Sequence, residues 1–261
     1  MALAMLLALQ GLTASAADST ATEDTSAPQP AHTGAPSPAH PQPGGAASAP
    51  FKLVYTPPLR GAPTGRLGGG TRGISPELTQ LHVLAPDHVG LTLQEQPVLY
   101  WFVSQVPKHP VEFTLTAADA VRPLVETRIK TPAVAGVQAL RLADYGVHLE
   151  REVLYQWFVA IVRDPEQRSR DIVAGGEMTR MASATGLAAQ LQRAGSSDLP
   201  YLYASEGIWY DALRAISELI EASPGQVALV EQRASLLDQV GLKEVAEYER
   251  KRAAAGEGAR P

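Results

Sequence analysis

Residues 57–73 read PPLRGAPTGRLGGGTRG, with three arginines, six glycines and no acidic side chain. Backbone this rich in glycine can turn successive N–H groups toward one point, as phosphate-binding nests do, and arginines beside it add positive charge. Arg60, Arg66, Gly68, Gly69, Gly70, Thr71 and Arg72 are therefore candidate ligands for a small anion. The pattern is not a Walker A loop, which needs Gly-Lys-Ser/Thr where this chain has Gly-Gly-Gly-Thr. The same arginines could instead brace the fold against carbonyls or carboxylates, with an acid such as Glu206 or Asp211 in the carboxy-terminal part as partner. Composition leaves both readings open.

Elsewhere the chemistry is sparse. Asp171 and Glu177 could supply the two carboxylates of a glycosidase, but any hairpin could place two acids this way. His32, His40, His82, His88, His109 and His148 show no metal-ligand spacing, and neither H-E-x-x-H nor G-x-S-x-G occurs. Without cysteine there is no disulfide or thiol catalysis. No catalytic residue, metal site or cofactor is expected. Trp101 and Trp157 are expected in the core.

The elements that must carry these residues centre on Val153–Arg180. From Val153 to Val162 both alternating faces are largely apolar and rich in β-formers, which predicts a central strand. Asp164-Pro165 breaks it, and a second extended run from Asp171 to Arg180 closes a hairpin across a turn of alternating Arg and acidic residues. Shorter strands are expected at 51–55, 80–84, 98–103, 111–116, 125–129 and 137–142, each bounded by turn-forming residues. Many short strands without intervening helices predict an antiparallel β-sandwich of the immunoglobulin-like kind over 51–181.

Beyond Met181 the period changes. Ile208, Ala212, Leu213, Ile216, Leu219 and Ile220 share a helical face that ends at Ser223-Pro224-Gly225. A second helix is expected from Gln226 to Val240, closed by Gly241, and a third from Leu242. A shift of 34 residues places Leu202 on Leu236, Gly207 on Gly241, Ile208 on Leu242 and Ala212 on Ala246. This resembles the tetratricopeptide repeat, so 182–255 is read as a helical-hairpin region that docks on the sheets or on a protein or peptide partner. Residues 256–261 are read as a disordered tail.

Charge and composition set the compartment and exclude one class of partner. Asp18, Glu23 and Asp24 are the only charged side chains before residue 51, and the remainder carries a net charge of −2. A nucleic-acid binder would show a basic excess, so none is expected. Residues 1–17 are a short apolar run ending in small residues, Ala14-Ser15-Ala16, and resemble a signal peptide. They lack the usual Lys or Arg, and the run is shorter than the ~20 residues of a membrane span. Residues 18–50 contain no Val, Ile, Leu, Met, Phe, Tyr or Trp and read as a disordered Pro/Ala-rich tether. A periplasmic or secreted location is expected.

Tyr55-Thr56-Pro57-Pro58-Leu59-Arg60-Gly61-Ala62-Pro63, the Gly68–Gly73 run, Gly90-Leu91-Thr92-Leu93 and Asp164-Pro165 with Arg168-Ser169 together resemble the bacterial family catalogued as domain of unknown function 928. The resemblance covers about 51–248 and implies an exported protein with a sandwich-like domain followed by helices. The compartment, the helical repeat and the absence of a catalytic pattern lead to the expectation that the α+β chain is a non-enzymatic interaction or scaffold module of the cell envelope. The alternative is a small-anion-binding protein or enzyme with its site at loop 57–73.

Overall fold

The computed structural model describes residues 52–58, 66, 79–182 and 185–256. Eight strands come first: β1 (Leu81–Val83), β2 (Gly90–Thr92), β3 (Val98–Val103), β4 (Val111–Ala117), β5 (Val125–Ile129), β6 (Gly136–Arg141), β7 (Leu154–Ile161) and β8 (Ile172–Arg180). Five helices follow: α1 (Thr185–Arg193), α2 (Leu199–Ser205), α3 (Trp209–Ala222), α4 (Val227–Gln239) and α5 (Lys243–Ala254). The chain is α+β, with the strands in one sheet ordered β1-β3-β6 and another ordered β2-β8-β7-β4-β5.

β7 is the middle strand of the larger sheet, as its two apolar faces require. Tyr155, Trp157, Val159 and Ile161 are buried, while Leu154, Gln156, Phe158 and Ala160 on the other face are half-covered. It pairs with β8 in the expected antiparallel hairpin, Leu154 opposite Thr179 and Ile161 opposite Ile172. Two glycines of β8 make room for neighbouring side chains. A Cβ on Gly175 would lie 2.4 Å from Phe158, and one on Gly176 would lie 2.6 Å from the Ala85 methyl.

Two expectations need correction. β2 joins β8 in parallel, Gly90 opposite Met178, so the larger sheet is mixed rather than wholly antiparallel. A three-residue strand carries too short a pattern to be read from sequence. Residues 52–55 alternate in burial as a strand would, with Leu53 and Tyr55 inside, yet they join no sheet. Their backbone is instead held by helices: Gln239 of α4 accepts from the Tyr55 N–H at 2.9 Å and donates to the Leu53 carbonyl at 2.8 Å. The Thr56 N–H donates to the Ala204 carbonyl of α2 at 3.0 Å.

The sheets and helices share one buried cluster, which runs from Trp101 and Trp157 to Trp209, Leu213, Leu237 and Val245. The start of α3 fastens the two kinds of element together through three consecutive side chains. Trp209 Nε1 donates to the Leu84 carbonyl at 2.8 Å. The Tyr210 hydroxyl donates to the Glu177 carbonyl and accepts from Trp157 Nε1, both at 3.0 Å. Asp211 accepts from Thr92 and Leu93 of the β2 edge. α2 and α4 end in the left-handed glycines Gly207 (φ +73°) and Gly241 (φ +76°), and the buried Ile208 and Leu242 begin the next helix in each case.

Candidate functional site

Arg66 is the one predicted anion ligand among the described residues; Arg60, Gly68, Gly69, Gly70, Thr71 and Arg72 lie outside them. Its Nη1 donates to the Ala85 carbonyl at 3.0 Å and to the Val240 carbonyl at 3.1 Å. One guanidinium group therefore ties the loop after β1 to the end of α4. Burial lowers its pKa from the ordinary value, against the nearby charges of Asp87 and Glu244. Asp211 does not brace Arg66. That carboxylate is 1% exposed and fully engaged elsewhere, by the Thr92 hydroxyl at 2.8 Å, the Leu93 N–H at 3.0 Å and Gln94 Nε2 at 3.0 Å.

Asp171 and Glu177 are each held by their own neighbours. Asp171 pairs with Arg168 Nε at 2.9 Å and accepts from the Arg163 N–H, and Glu177 accepts from Gln156 Nε2 at 2.9 Å. Arg168 also reaches Glu112 of β4 at 2.6 Å, so the charged turn is tied to a strand outside its own hairpin. Among the described residues no group of three His, Asp or Glu side chains stands together as a metal site. Trp101 and Trp157 are core residues.

Among the described residues a groove of about 730 Å³ lies between β6 and the last three helices. Volumes of roughly 300–1,000 Å³ are typical of ligand sites. On one side stand Ala135, Val137 and Ala139, and on the other Val227 and Val230 of α4 and Ala253 of α5. Among these Val227 is 54% exposed, an apolar side chain without cover.

A polar cluster lies at the groove floor. Arg233 of α4 meets Glu249 of α5 through two parallel bonds, Nε to Oε2 at 2.6 Å and Nη2 to Oε1 at 2.5 Å. Nη1 of the same side chain donates to the Ser217 hydroxyl of α3 at 3.1 Å, and that hydroxyl donates to the Leu213 carbonyl at 2.7 Å. Arg233 and Glu249 are 9% and 8% exposed, so their charges are compensated by geometry rather than by water. Burial and the neighbouring Glu221 push the Tyr100 hydroxyl up to about 12, which keeps it a neutral donor in the groove.

The rim is pinned by Arg252. Its guanidinium lies 5.9 Å from the Tyr248 ring centre and donates to the Ala135 carbonyl at 3.3 Å. Tyr248 in turn packs edge-on against Phe102 of β3, with ring centres 4.9 Å apart. Gly136 has φ +116°, and a Cβ there would lie 2.7 Å from Arg252 Nη1. The groove was not legible as a site in the sequence, because β6 and α4 meet only through the fold. Alternating small residues at 135–139 were its one local sign.

A family model described as Domain of Unknown Function (DUF928) matches residues 67–250. No curated protein and no solved structure matches the chain.

Proposed function

The chain belongs to the family of the domain of unknown function 928, and we propose that it is a non-enzymatic, exported interaction module that seats a segment of a protein partner in the groove between β6 and α3–α5. The observation that carries this reading is the groove itself: an apolar channel whose buried polar groups are already satisfied by one another. Such a lining favours burial of apolar side chains, at roughly 25 cal/mol per Å².

Export to the periplasm or beyond rests on the signal-like residues 1–17 and the apolar-poor residues 18–50. Among the described residues no helix is long and apolar enough to cross a membrane. We read α2–α3 and α4–α5 as two tetratricopeptide-like hairpins, supported by the left-handed Gly207 and Gly241 and by the buried Ala212 and Ala246 at the same 34-residue offset. The immunoglobulin-like reading of the sheets rests on their antiparallel neighbours, β2 excepted. The anion-site alternative at loop 57–73 is weakened at Arg66, whose Nη1 is shared by two carbonyls.

A photo-crosslinking residue at position 227, compared with one at the 99%-exposed Val121, tests the groove. Crosslinks to a polypeptide are expected from position 227 in the native envelope fraction and not from position 121. Equal or absent labelling at both positions would remove the groove from the reading.

A further inference from the structure

We infer that the groove receives its occupant as an added β-strand on the outer edge of β6, the occupant being an uncharged, extended peptide with apolar side chains at alternate positions; this rests on the groove reading above. The open edge follows from the phase of the β3–β6 ladder. Antiparallel neighbours exchange both backbone bonds at every second pair. β3 and β6 pair with Val98 opposite Arg141 and Val103 opposite Gly136. One step beyond, the Leu142 N–H donates to the Pro97 carbonyl at 3.2 Å.

That bond sets the phase: Gly136, Gln138 and Leu140 turn their N–H and C=O groups to β3, and Val137, Ala139 and Arg141 turn theirs away. The far side of β3 agrees. The Leu84 N–H donates to the Tyr100 carbonyl at 2.8 Å, so Tyr100, which faces Ala139 in the register, directs its backbone toward β1. Among the described residues no strand lies beyond β6, and no hydrogen bond from outside the ladder reaches the backbone of Val137 or Ala139, while the Arg141 carbonyl is taken by the 3-10 turn that follows at Leu142–Tyr145. A row of unpaired N–H and C=O groups is a template for another strand.

The surroundings select the occupant. The edge forms one wall of the 730 Å³ groove, a space on the scale of one extended segment rather than of a folded domain. Charge complementarity points the same way. The lining holds two acids, Glu221 and Glu249, and two arginines, Arg233 and Arg252, so it has no net charge and favours an uncharged stretch. Val137, Val227 and Val230 provide the apolar contacts for every second side chain.

The test uses the capped heptapeptide Thr-Val-Thr-Val-Thr-Val-Thr and two versions of it, one N-methylated at the Val amides and one at the Thr amides. Alternate residues of a strand point their N–H groups to the same side, so only one of the two versions loses the ladder. The unmodified peptide should slow amide exchange at Val137, Ala139 and Arg141 by about tenfold or more at ~1 mM, and one methylated version alone should lose about tenfold in affinity. Ala139→Pro, which removes an outward N–H and no bond to β3, should abolish binding. Two intact methylated peptides whose binding is lost in Val227→Glu would overturn strand addition and leave the groove reading standing. No protection at the three amides overturns strand addition, and unchanged binding by Val227→Glu overturns the groove reading itself.

Discussion

Asp211 Oδ2 accepts from the Thr92 hydroxyl at 2.8 Å, joining the first turn of α3 to the parallel edge strand β2 with neither residue more than 1% exposed. Leu93 and Gln94 complete the set of donors around one carboxyl group. Removing that carboxyl in Asp211→Ala strands three buried or half-buried donors. With about 1–3 kcal/mol for each buried donor left unsatisfied and partial relaxation, the loss should exceed about 3 kcal/mol in urea unfolding. A loss below about 1 kcal/mol would mean that water takes over the acceptor's place.

The same group gives the fold a pH dependence of definite sign. Burial raises the Asp211 pKa above the usual carboxylate range, although its three donors pull it down. Its contribution is therefore complete below the unfolded value, about 3.9, and declines as pH rises through the folded value. Relative to Asp211→Asn, the natural protein should lose stability as pH rises above about 4. Parallel stability curves for the two would contradict this.

Glu112 behaves in the opposite sense. Its bond to Arg168 holds its carboxyl below the usual range, so its contribution is present above about pH 4.3 and is lost as pH falls through the folded value. Arg168 is half-exposed, and solvent screening keeps the pair small. Arg168→Ala and Glu112→Gln should each lower stability only slightly at pH 7, and the difference should vanish in acid. Thermal melts from pH 7 to pH 2 would show it, and a cost that persists at pH 2 would assign these side chains a packing role.

Gly207 and Gly241 are equivalent in the 34-residue offset but not in surroundings. Both are left-handed, yet a Cβ on Gly207 would lie 2.7 Å from the Thr56 carbonyl oxygen, while one on Gly241 meets nothing within 4 Å. Gly241→Ala should cost about 1–2 kcal/mol for backbone strain alone. Gly207→Ala adds a clash with backbone and should cost at least about 1 kcal/mol more, as an overpacked site does. Equal losses in chemical denaturation would show that segment 52–58 yields freely.

Arg233→Ala should be among the most damaging single changes outside the β-sheets, at about 3–5 kcal/mol, because it leaves Glu249 buried without a counter-charge. Replacing both by apolar residues, as in Arg233→Met with Glu249→Leu, should recover most of the loss. Should the double variant be as unstable as the single one, the pair's hydrogen bonds to the surrounding helices matter more than its charge.

Patterns whose cause is local were readable from residues alone. The two apolar faces of 153–162 require a strand covered on both sides, and β7 is the centre of its sheet. Ser223-Pro224-Gly225 and Gly241 stop α3 and α4 because their backbones depart from the helix at those positions, and the structure places both ends within a residue or two of them. What depends on distant partners was not readable. β2 is three residues long and exists only because β8, more than eighty residues later, lends it hydrogen bonds. Leu53 and Tyr55 alternate as a strand would, but the amide of Gln239 took the backbone bonds that a sheet would have used. Arg66 reads as an anion ligand by type and setting, and only the structure brings its Nη1 between two carbonyls 155 residues apart in the chain, those of Ala85 and Val240. Hydrophobic period and turn chemistry act within a few residues, so they select elements. Which edge stays open, and which groove that edge lines, follows from pairing and packing across the whole chain.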